Sequence, residues 1–328
     1  MIVVTGAAGF IGSNVVADLN AAGVGPIAAV DWFTTDERWR NLGKRVVAHF
    51  VRPDVLVAFL DRHRSDIGAI IHMGAISATT ERDVDLLVER NINYTVRLWD
   101  WCAVAEVPFI YASSAATYGS REKGFIDDES IPALRALRPL NAYGWSKMAT
   151  DLIFAQRVAA GEAKPPQWVG LKFFNAYGPN EYHKGGMRSV ANKLFDALKR
   201  DDPLLLFKSY RRGIADGEQR RDFVYVKDCS SIILRMLESS KTSGIFNVGT
   251  GTARSFLDVA DAMTAIGGRR RKVEFIDVPE VIRDRYQYFT EADTSKLRRA
   301  LPDVRFHSLE DGIGDYMLNY LQTADPYR

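Results

Sequence analysis

Tyr143 and Lys147, in the stretch "NAYGWSK", stand four residues apart, a spacing that on a helix places both side chains on one face. A phenol beside an ammonium makes a base for an alcohol. The positive charge stabilises phenolate and draws the tyrosine pKa down from about 10, so a substrate hydroxyl can give up its proton as hydride leaves its carbon. With 13 tyrosines in the chain, one such spacing can arise by accident. Ser114 in "ASSAATYG" strengthens it with a hydroxyl able to bind the same oxygen, the other reading of that serine being a turn stabiliser. A second lysine, Lys184, follows in "EYHKGGM". Taken alone, a charged, glycine-flanked lysine reads as part of a solvated loop.

Hydride needs an acceptor, and "TGAAGFIG" describes a place for one. Gly6, Gly9 and Gly12 fall between an apolar strand and a helix. Glycines there allow a tight turn and a close approach to a pyrophosphate, and the helix start at Phe10 and Ile11 offers N–H groups and a positive dipole end. Asp31 ends the next strand, about 20 residues on, where an acid bonds an adenosine ribose hydroxyl and favours NAD. Arg38, Arg40, Lys44 and Arg45 follow Trp32 closely, and a guanidinium there can hold the 2′-phosphate of NADP. Each of these cations reads equally well as a solvated loop residue. On the residues alone, NAD and NADP both stand. Asn91 in "ERNINYT" adds an amide able to orient helix and cofactor.

These groups need a scaffold. "MIVVTG", "PIAAVD", "DIGAIIHMGA" (66–75), "PFIYASSAATYG" (108–119) and "WVGLKFFNAYGP" (168–179) read as apolar strands running into polar or glycine-bearing loops. Helical spacing of Ile11, Val15, Val16 and Leu19, and helical stretches over 84–105 and 144–160, alternate with them. The expectation is an α/β, doubly wound parallel sheet of Rossmann type. Beyond about residue 180 the pattern loosens into a helix near 187–200, a charged loop over 208–221, a strand "DFVYV", a helix over 228–239, a strand "GIFNVG" and a helix over 255–266. The expected division is a dinucleotide-binding part over 1–175, rejoined by segments near 223–248, and a smaller, interleaved substrate lobe over 176–328. A cleft between them is the natural substrate site.

Bulk properties exclude several classes. The 328 residues, 47% hydrophobic and 26% charged, are those of an ordinary globular chain rather than a disordered or fibrous one. Forty-three basic against 41 acidic residues leave a charge of +2, too balanced for a nucleic-acid or membrane-surface partner drawn in by bulk field. Cys102 and Cys229 have no disulfide or metal-like spacing, so a reduced, cytoplasmic protein without a metal site is expected. No apolar run approaches the roughly 18 residues of a membrane helix, and a strand starting at the first residue leaves no room for a signal peptide.

Over nearly its whole length the chain resembles the extended short-chain dehydrogenase/reductase family, through "TGAAGFIG", "ASSAATYG", Tyr143 and Lys147, "FFNAYGP" and "RDFVYVKD". The resemblance implies a nicotinamide-dependent sugar-nucleotide enzyme with Ser114, Tyr143 and Lys147 in the catalytic roles. Dehydratases of that family carry an acidic pair where Ala115 and Ala116 stand here, so water elimination lacks its acid and base. Within the family, "SSAATYG", "YGPNEYHKGGMRSVA", "RRDFVYVKD", "SGIFNVGTGTARSFLDVADA" and "RYQYFTEAD" resemble segments of the ADP-L-glycero-D-manno-heptose 6-epimerases, in the same order.

That second resemblance implies inversion at C6 of an ADP-heptose by transient oxidation to a ketone, with tightly held NADP (NAD as the alternative), for lipopolysaccharide inner-core synthesis by a homo-oligomer, often a pentamer. It makes Lys184 a second proton carrier, needed because a turned ketone carries its oxygen out of reach of a base fixed on one side. Lys184 would titrate because cofactor and Lys147 charges lower its pKa. The resemblance also implies cofactor contacts from Met73, Gly74, Ala75, Ser77 and Ala176. Substrate contacts implied are Asn175, Gly186, Lys193, Phe207, Arg221, Arg285 and Tyr286, with Ser114; for Arg285 an ordinary ion pair is the competing reading. Gly186 and Lys193 stand where the family pattern has serine and histidine, and the 208–221 loop is longer and more basic than the pattern. The alternative is another nucleotide-sugar epimerase, such as a UDP-hexose 4-epimerase, which needs no counterpart of Lys184.

Overall fold

Short apolar strands alternating with helices build a seven-stranded sheet in which every pairing is parallel. The structure is a computed structural model describing residues 1–328 except 122, 240–241, 269–271 and 284–285. The strands are β1 (Ile2–Thr5), β2 (Ile27–Val30), β3 (His49–Val51), β4 (Ala69–His72), β5 (Phe109–Ser114), β6 (Trp168–Phe173), β7 (Asn175–Tyr177), β8 (Leu204–Phe207), β9 (Arg220–Tyr225), β10 (Gly244–Val248), β11 (Ala253–Ser255) and β12 (Val273–Ile276). The large sheet runs β3-β2-β1-β4-β5-β6-β10. Its central strands are buried along their length, as expected when helices cover both faces. Strand order reverses between β1 and β4, which opens a crevice at their carboxyl ends.

The later half of the chain contributes to two bodies of packing. β10 pairs with β6 at one edge of the large sheet, and helix Val226–Glu238 sends Ile232, Ile233 and Met236 into the same apolar cluster as Val15, Val16 and Leu19 of helix Phe10–Ala21. β7, β9 and β11 form a second sheet and β8 pairs with β12. Helices Val190–Arg200, Phe256–Ile266 and Leu309–Tyr316 cover these with Leu194, Met263, Ile313 and Tyr316. Among the described residues no helix is long and apolar enough to cross a membrane.

Several boundaries differ from the sequence pattern. The helix expected near 187 begins at Val190, because Ser189 caps it by accepting the Asn192 N–H. Residues Tyr182–Met187 before it form a tight 3-10 turn broken at Gly185, whose φ of 53° is left-handed. Arg220 and Arg221, taken into the charged loop by composition, belong to β9 instead.

Candidate active site

The turn after β1 shows why its glycines are needed. Gly6 has φ 63°, and a Cβ there would lie 2.7 Å from the Gly74 Cα, so the loop after β4 comes directly against it. A Cβ on Gly12 would lie 2.1 Å from the Gly6 carbonyl oxygen; only a bare Cα lets the helix sit on the turn. Gly9 caps that helix without a side-chain bond, which leaves the first-turn N–H groups without a side-chain acceptor of their own. A diphosphate fits this cradle: the backbone approaches closely, and the positive end of the helix dipole favours an anion.

Asp31 follows β2 and is buried, with Oδ2 accepting the Ala8 N–H (2.9 Å) and Oδ1 the Trp32 N–H (2.8 Å). Burial raises its pKa, while the Ala8 N–H and Arg38 act against that. Arg38 lies 3.8 Å from Asp31 but donates its hydrogen bonds to Asp36, at 2.6 to 2.9 Å, and holds the Asp36 carboxyl down at about 2. Arg40 pairs with Glu37 and Lys44 with Asp325. Arg45 is turned toward Arg328 and Asp18, and burial lowers its pKa. Of the four cations singled out by sequence, Arg38 is the one placed beside Asp31. The Trp32 ring lies 5.2 Å from each of the Arg52 and Arg90 guanidinium groups.

β5 delivers Ser114 to the start of helix Ala142–Ala159, which Asn141 caps by accepting the Gly144 N–H at 2.8 Å. A Cβ on Gly144 would meet the Ala116 carbonyl oxygen at 2.7 Å, so this glycine, unremarked in the sequence, lets the helix pack on the Ser114 turn. The Ser114 hydroxyl accepts the Ala116 N–H (3.1 Å) and lies beside Tyr143, whose pKa it acts to lower. Lys147 donates to the Ala112 carbonyl at 2.8 Å. Ser114, Tyr143 and Lys147 are thus gathered at one place, but the expected effect of the lysine on the phenol is corrected. Burial raises the Tyr143 pKa, Ser114 partly offsets it, and the ammonium donates to a backbone carbonyl. Lys147 itself is lowered to about 8 by burial, against the pull of Asp151.

Asn91 ties the loop after β4 to that helix. Its Oδ1 accepts the Ile76 N–H (2.8 Å), and its Nδ2 donates to the Ile76 carbonyl and to Ser146 Oγ, both at 3.0 Å. The segment Met73, Gly74, Ala75 and Ser77 is therefore held between the glycine turn and helix Ala142–Ala159. Sequence reading missed the rest of this connection. The Gly74 N–H donates to Thr5 Oγ1 (3.1 Å), which lies 2.6 Å from His72 Nδ1; His72 Nε2 lies 2.9 Å from Thr95 Oγ1, which donates to the Asn91 carbonyl at 2.7 Å. Each donor is used once when the His72 proton sits on Nε2. Burial, with Lys147 adding to it, holds this imidazole neutral, its pKa down at about 3. Also unforeseen is the fully buried pair of Lys172 and Asp151 at 2.7 Å. Asp151 accepts from Tyr111 and Ser113, and Lys172 donates to Thr117, which in turn donates to the Ser114 carbonyl. A polar residue recurring inside the apolar β6 pattern, Lys172 in "WVGLKFF", was the available signal.

Lys184 lies on the Tyr182–Met187 turn with its Nζ 4.9 Å from the centroid of the Phe10 ring, the first residue of the helix at the glycine turn. No hydrogen bond among the described residues joins it to Tyr143. Its pKa is lowered by burial and by Lys193, with Glu181 opposing. This corrects the expectation that Lys147 would shift it. Lys193 donates to the Gly186 carbonyl at 2.6 Å. Arg221, Tyr286 and Phe207 come together. The Arg221 guanidinium is 5.2 Å from the Tyr286 ring centroid, and Phe207 meets Tyr286 edge-on at 5.9 Å. Arg221 is buried, donates to the Arg220 and Gln287 carbonyls, and among the described residues has no carboxylate partner. Such a charge suits an anion. Asn175 accepts from Thr290 at 3.3 Å beside Ala176 on β7. Arg285 lies outside the described residues.

Comparison with known proteins finds relatives and solved structures over nearly the whole chain. A relative from Fusobacterium nucleatum named ADP-L-glycero-D-manno-heptose-6-epimerase is 46% identical, the match covering 100% of both chains. The crystal structure of the Helicobacter pylori protein of that name superposes with a TM-score of 0.81 at 26% identity, covering 97% of this chain and 95% of the other. A UDP-glucuronic acid 4-epimerase from Bacillus cereus, solved with UDP-glucuronic acid and NAD, gives 0.77 at 27% identity, covering 97% and 99%. The model of the NAD dependent epimerase/dehydratase family matches residues 2–249, a span that holds the glycine turn, Ser114, Tyr143 and Lys147 together, and the chain belongs to that family.

Proposed function

We propose that this protein is an ADP-L-glycero-D-manno-heptose 6-epimerase, converting the D-glycero to the L-glycero epimer of the ADP-heptose. The full-length match at 46% identity to a protein of that name carries the reading. When bound, the nicotinamide dinucleotide would supply a reversible hydride acceptor for C6. The turn at Gly6, Gly9 and Gly12, the helix start at Phe10 and Ile11, and Asp31 and Trp32 would hold it. Arg38 is the group on hand for the 2′-phosphate of NADP, the form proposed here. The Met73–Ser77 segment, Asn91, Lys147 and Ala176 complete the set.

Tyr143, with Ser114 beside it, exchanges the proton of the C6 hydroxyl on one side. Lys147, an ammonium below a pKa of about 8, keeps positive charge near the phenol as it ionises. Oxidation at C6 avoids the unstabilised carbanion that direct proton abstraction would require, and the ketone presents its other face after turning. Lys184, whose pKa burial lowers, exchanges the proton there. Arg221, with no carboxylate partner among the described residues, takes the substrate diphosphate beside Tyr286 and Phe207, with Asn175, Gly186, Lys193 and Arg285 as further contacts. The setting proposed is cytoplasmic synthesis of the lipopolysaccharide inner core by a homo-oligomer.

Purified protein incubated with ADP-D-glycero-D-manno-heptose and no added nicotinamide should yield the L-glycero product by NMR, with no deuterium at C6 in heavy water. Lys184→Met should abolish net inversion. Conversion of UDP-glucose in place of the heptose would transfer the assignment to a UDP-hexose 4-epimerase.

A further inference from the structure

Glu181 is fully buried three residues before Lys184, and its carboxylate meets neutral donors only among the described residues. It accepts the Gly178 N–H (3.3 Å), the Ser189 N–H (2.5 Å), the Ser189 hydroxyl (2.7 Å) and the Tyr316 hydroxyl (3.2 Å). Gly178 and Ser189 are the two ends of the segment that carries Lys184, so one side chain fastens the loop shut. Tyr316 is itself fixed by Asn192, whose Nδ2 donates to its hydroxyl at 2.7 Å. Inside the loop the Lys184 N–H donates to the Glu181 carbonyl at 3.0 Å, and Gly185 takes its left-handed turn.

A buried carboxylate is costly unless donors replace its water and charge nearby complements it. The donors are the four above. Part of the charge comes from the N-terminus of helix Val190–Arg200, whose cap residue Ser189 makes two of those bonds. The remainder comes from two lysines. Glu181 acts on both Lys184 and Lys193 in the direction that keeps them protonated, against the burial of both, against Lys193 at Lys184 and against Arg188 at Lys193. Among the described residues Glu181 and Lys193 are the charged groups that bear on the Lys184 amine, the adjacent His183 imidazole is held neutral by burial with its pKa down at about 4, and the Phe10 ring face lies against the amine.

We propose that Glu181 is the positioning residue for Lys184: it closes the 178–189 loop so that the amine is presented at Phe10, and its charge keeps that amine an ammonium when the substrate arrives. The inference rests on the reading of Lys184 as a proton carrier. Glu181→Gln keeps an acceptor for the Ser189 N–H and removes the charge. Glu181→Ala removes both.

The test is the pH dependence of acetic anhydride labelling at Lys184, followed by peptide mass spectrometry, together with kcat and KM. In Glu181→Gln the labelling midpoint should fall by roughly one pH unit or more, as loss of an opposite charge demands. In Lys193→Met it should rise. In Glu181→Gln, kcat should drop at least tenfold with KM within about twofold; Glu181→Ala should lose more, and if it does not fold, Glu181→Gln decides. A midpoint and kcat in Glu181→Gln equal to wild type overturn the proposal. Lys184→Met separates this from failure of the underlying reading. An inactive Lys184→Met beside an unperturbed Glu181→Gln sinks only the role of Glu181, whereas a fully active Lys184→Met sinks the proton-carrier reading and this inference with it.

Discussion

Tyr143 has Ser114 beside it, which acts to lower its pKa, while Lys147, one helical turn on, donates to the Ala112 carbonyl at 2.8 Å. No hydrogen bond among the described residues joins the phenol to the ammonium. Burial raises the one pKa and lowers the other, so in the free protein the tyrosine is neutral and the lysine is near the midpoint of its titration just above neutrality. A phenol set this way ionises most readily when a nearby ammonium stabilises the charge that develops on it.

Tyr143→Phe removes the hydroxyl and leaves the ring in place. Turnover of the ADP-heptose, followed by NMR, should fall by about 10²–10⁴-fold, the usual weight of a general base. Retention of more than a tenth of wild-type activity would count against Tyr143 as the proton acceptor.

Lys147 makes activity and stability respond to pH in opposite senses. Its folded pKa of about 8 lies below the 10.5 of the unfolded side chain, so between those values the unfolded chain binds more protons and stability rises with pH. Turnover should decline as pH passes about 8 and the ammonium is lost. Urea unfolding of wild type and Lys147→Met checks the stability half. Any advantage of the methionine variant at pH 7 should shrink by pH 10, and a constant difference would contradict the assignment.

His72 gives the converse acid response. Its folded pKa of about 3 is below the ordinary 6.5, so stability held above 6.5 is lost as pH falls toward 3. His72→Phe should cost about 1–3 kcal/mol, because it leaves the buried Thr5 hydroxyl without an acceptor, while Thr95 keeps its bond to the Asn91 carbonyl. The same substitution should flatten the decline in unfolding free energy between pH 6.5 and 4. A variant that loses stability with acid as steeply as wild type would show that the imidazole is not the titrating group.

Lys172→Met leaves the Asp151 carboxylate buried without its cation, at a cost of about 3–5 kcal/mol. Lys172→Met with Asp151→Leu should recover a large part of that loss, since neither charge is then stranded. Denaturation of the two singles and the double closes the cycle. Additive losses would mean that Asp151 serves Tyr111 and Ser113 rather than the lysine.

What was legible in the chain was what neighbours in sequence determine. The turn at Gly6 and Gly12, the strand and helix alternation, the four-residue spacing of Tyr143 and Lys147, and Asp31 at a strand end all rest on local backbone preference and periodicity, and each is found in place. The partners of the charged and polar groups were not legible. Arg38 turns to Asp36, Lys147 to Ala112, and His72 bridges Thr5 and Thr95. β8 finds β12 across some 70 residues, which no short-range pattern encodes. Only the folded chain sets which donor meets which acceptor and how far water is excluded from them, and those two facts fix the direction of every pKa in the site. Local sequence therefore determined the residues able to do the chemistry, and tertiary packing decided their protonation and company.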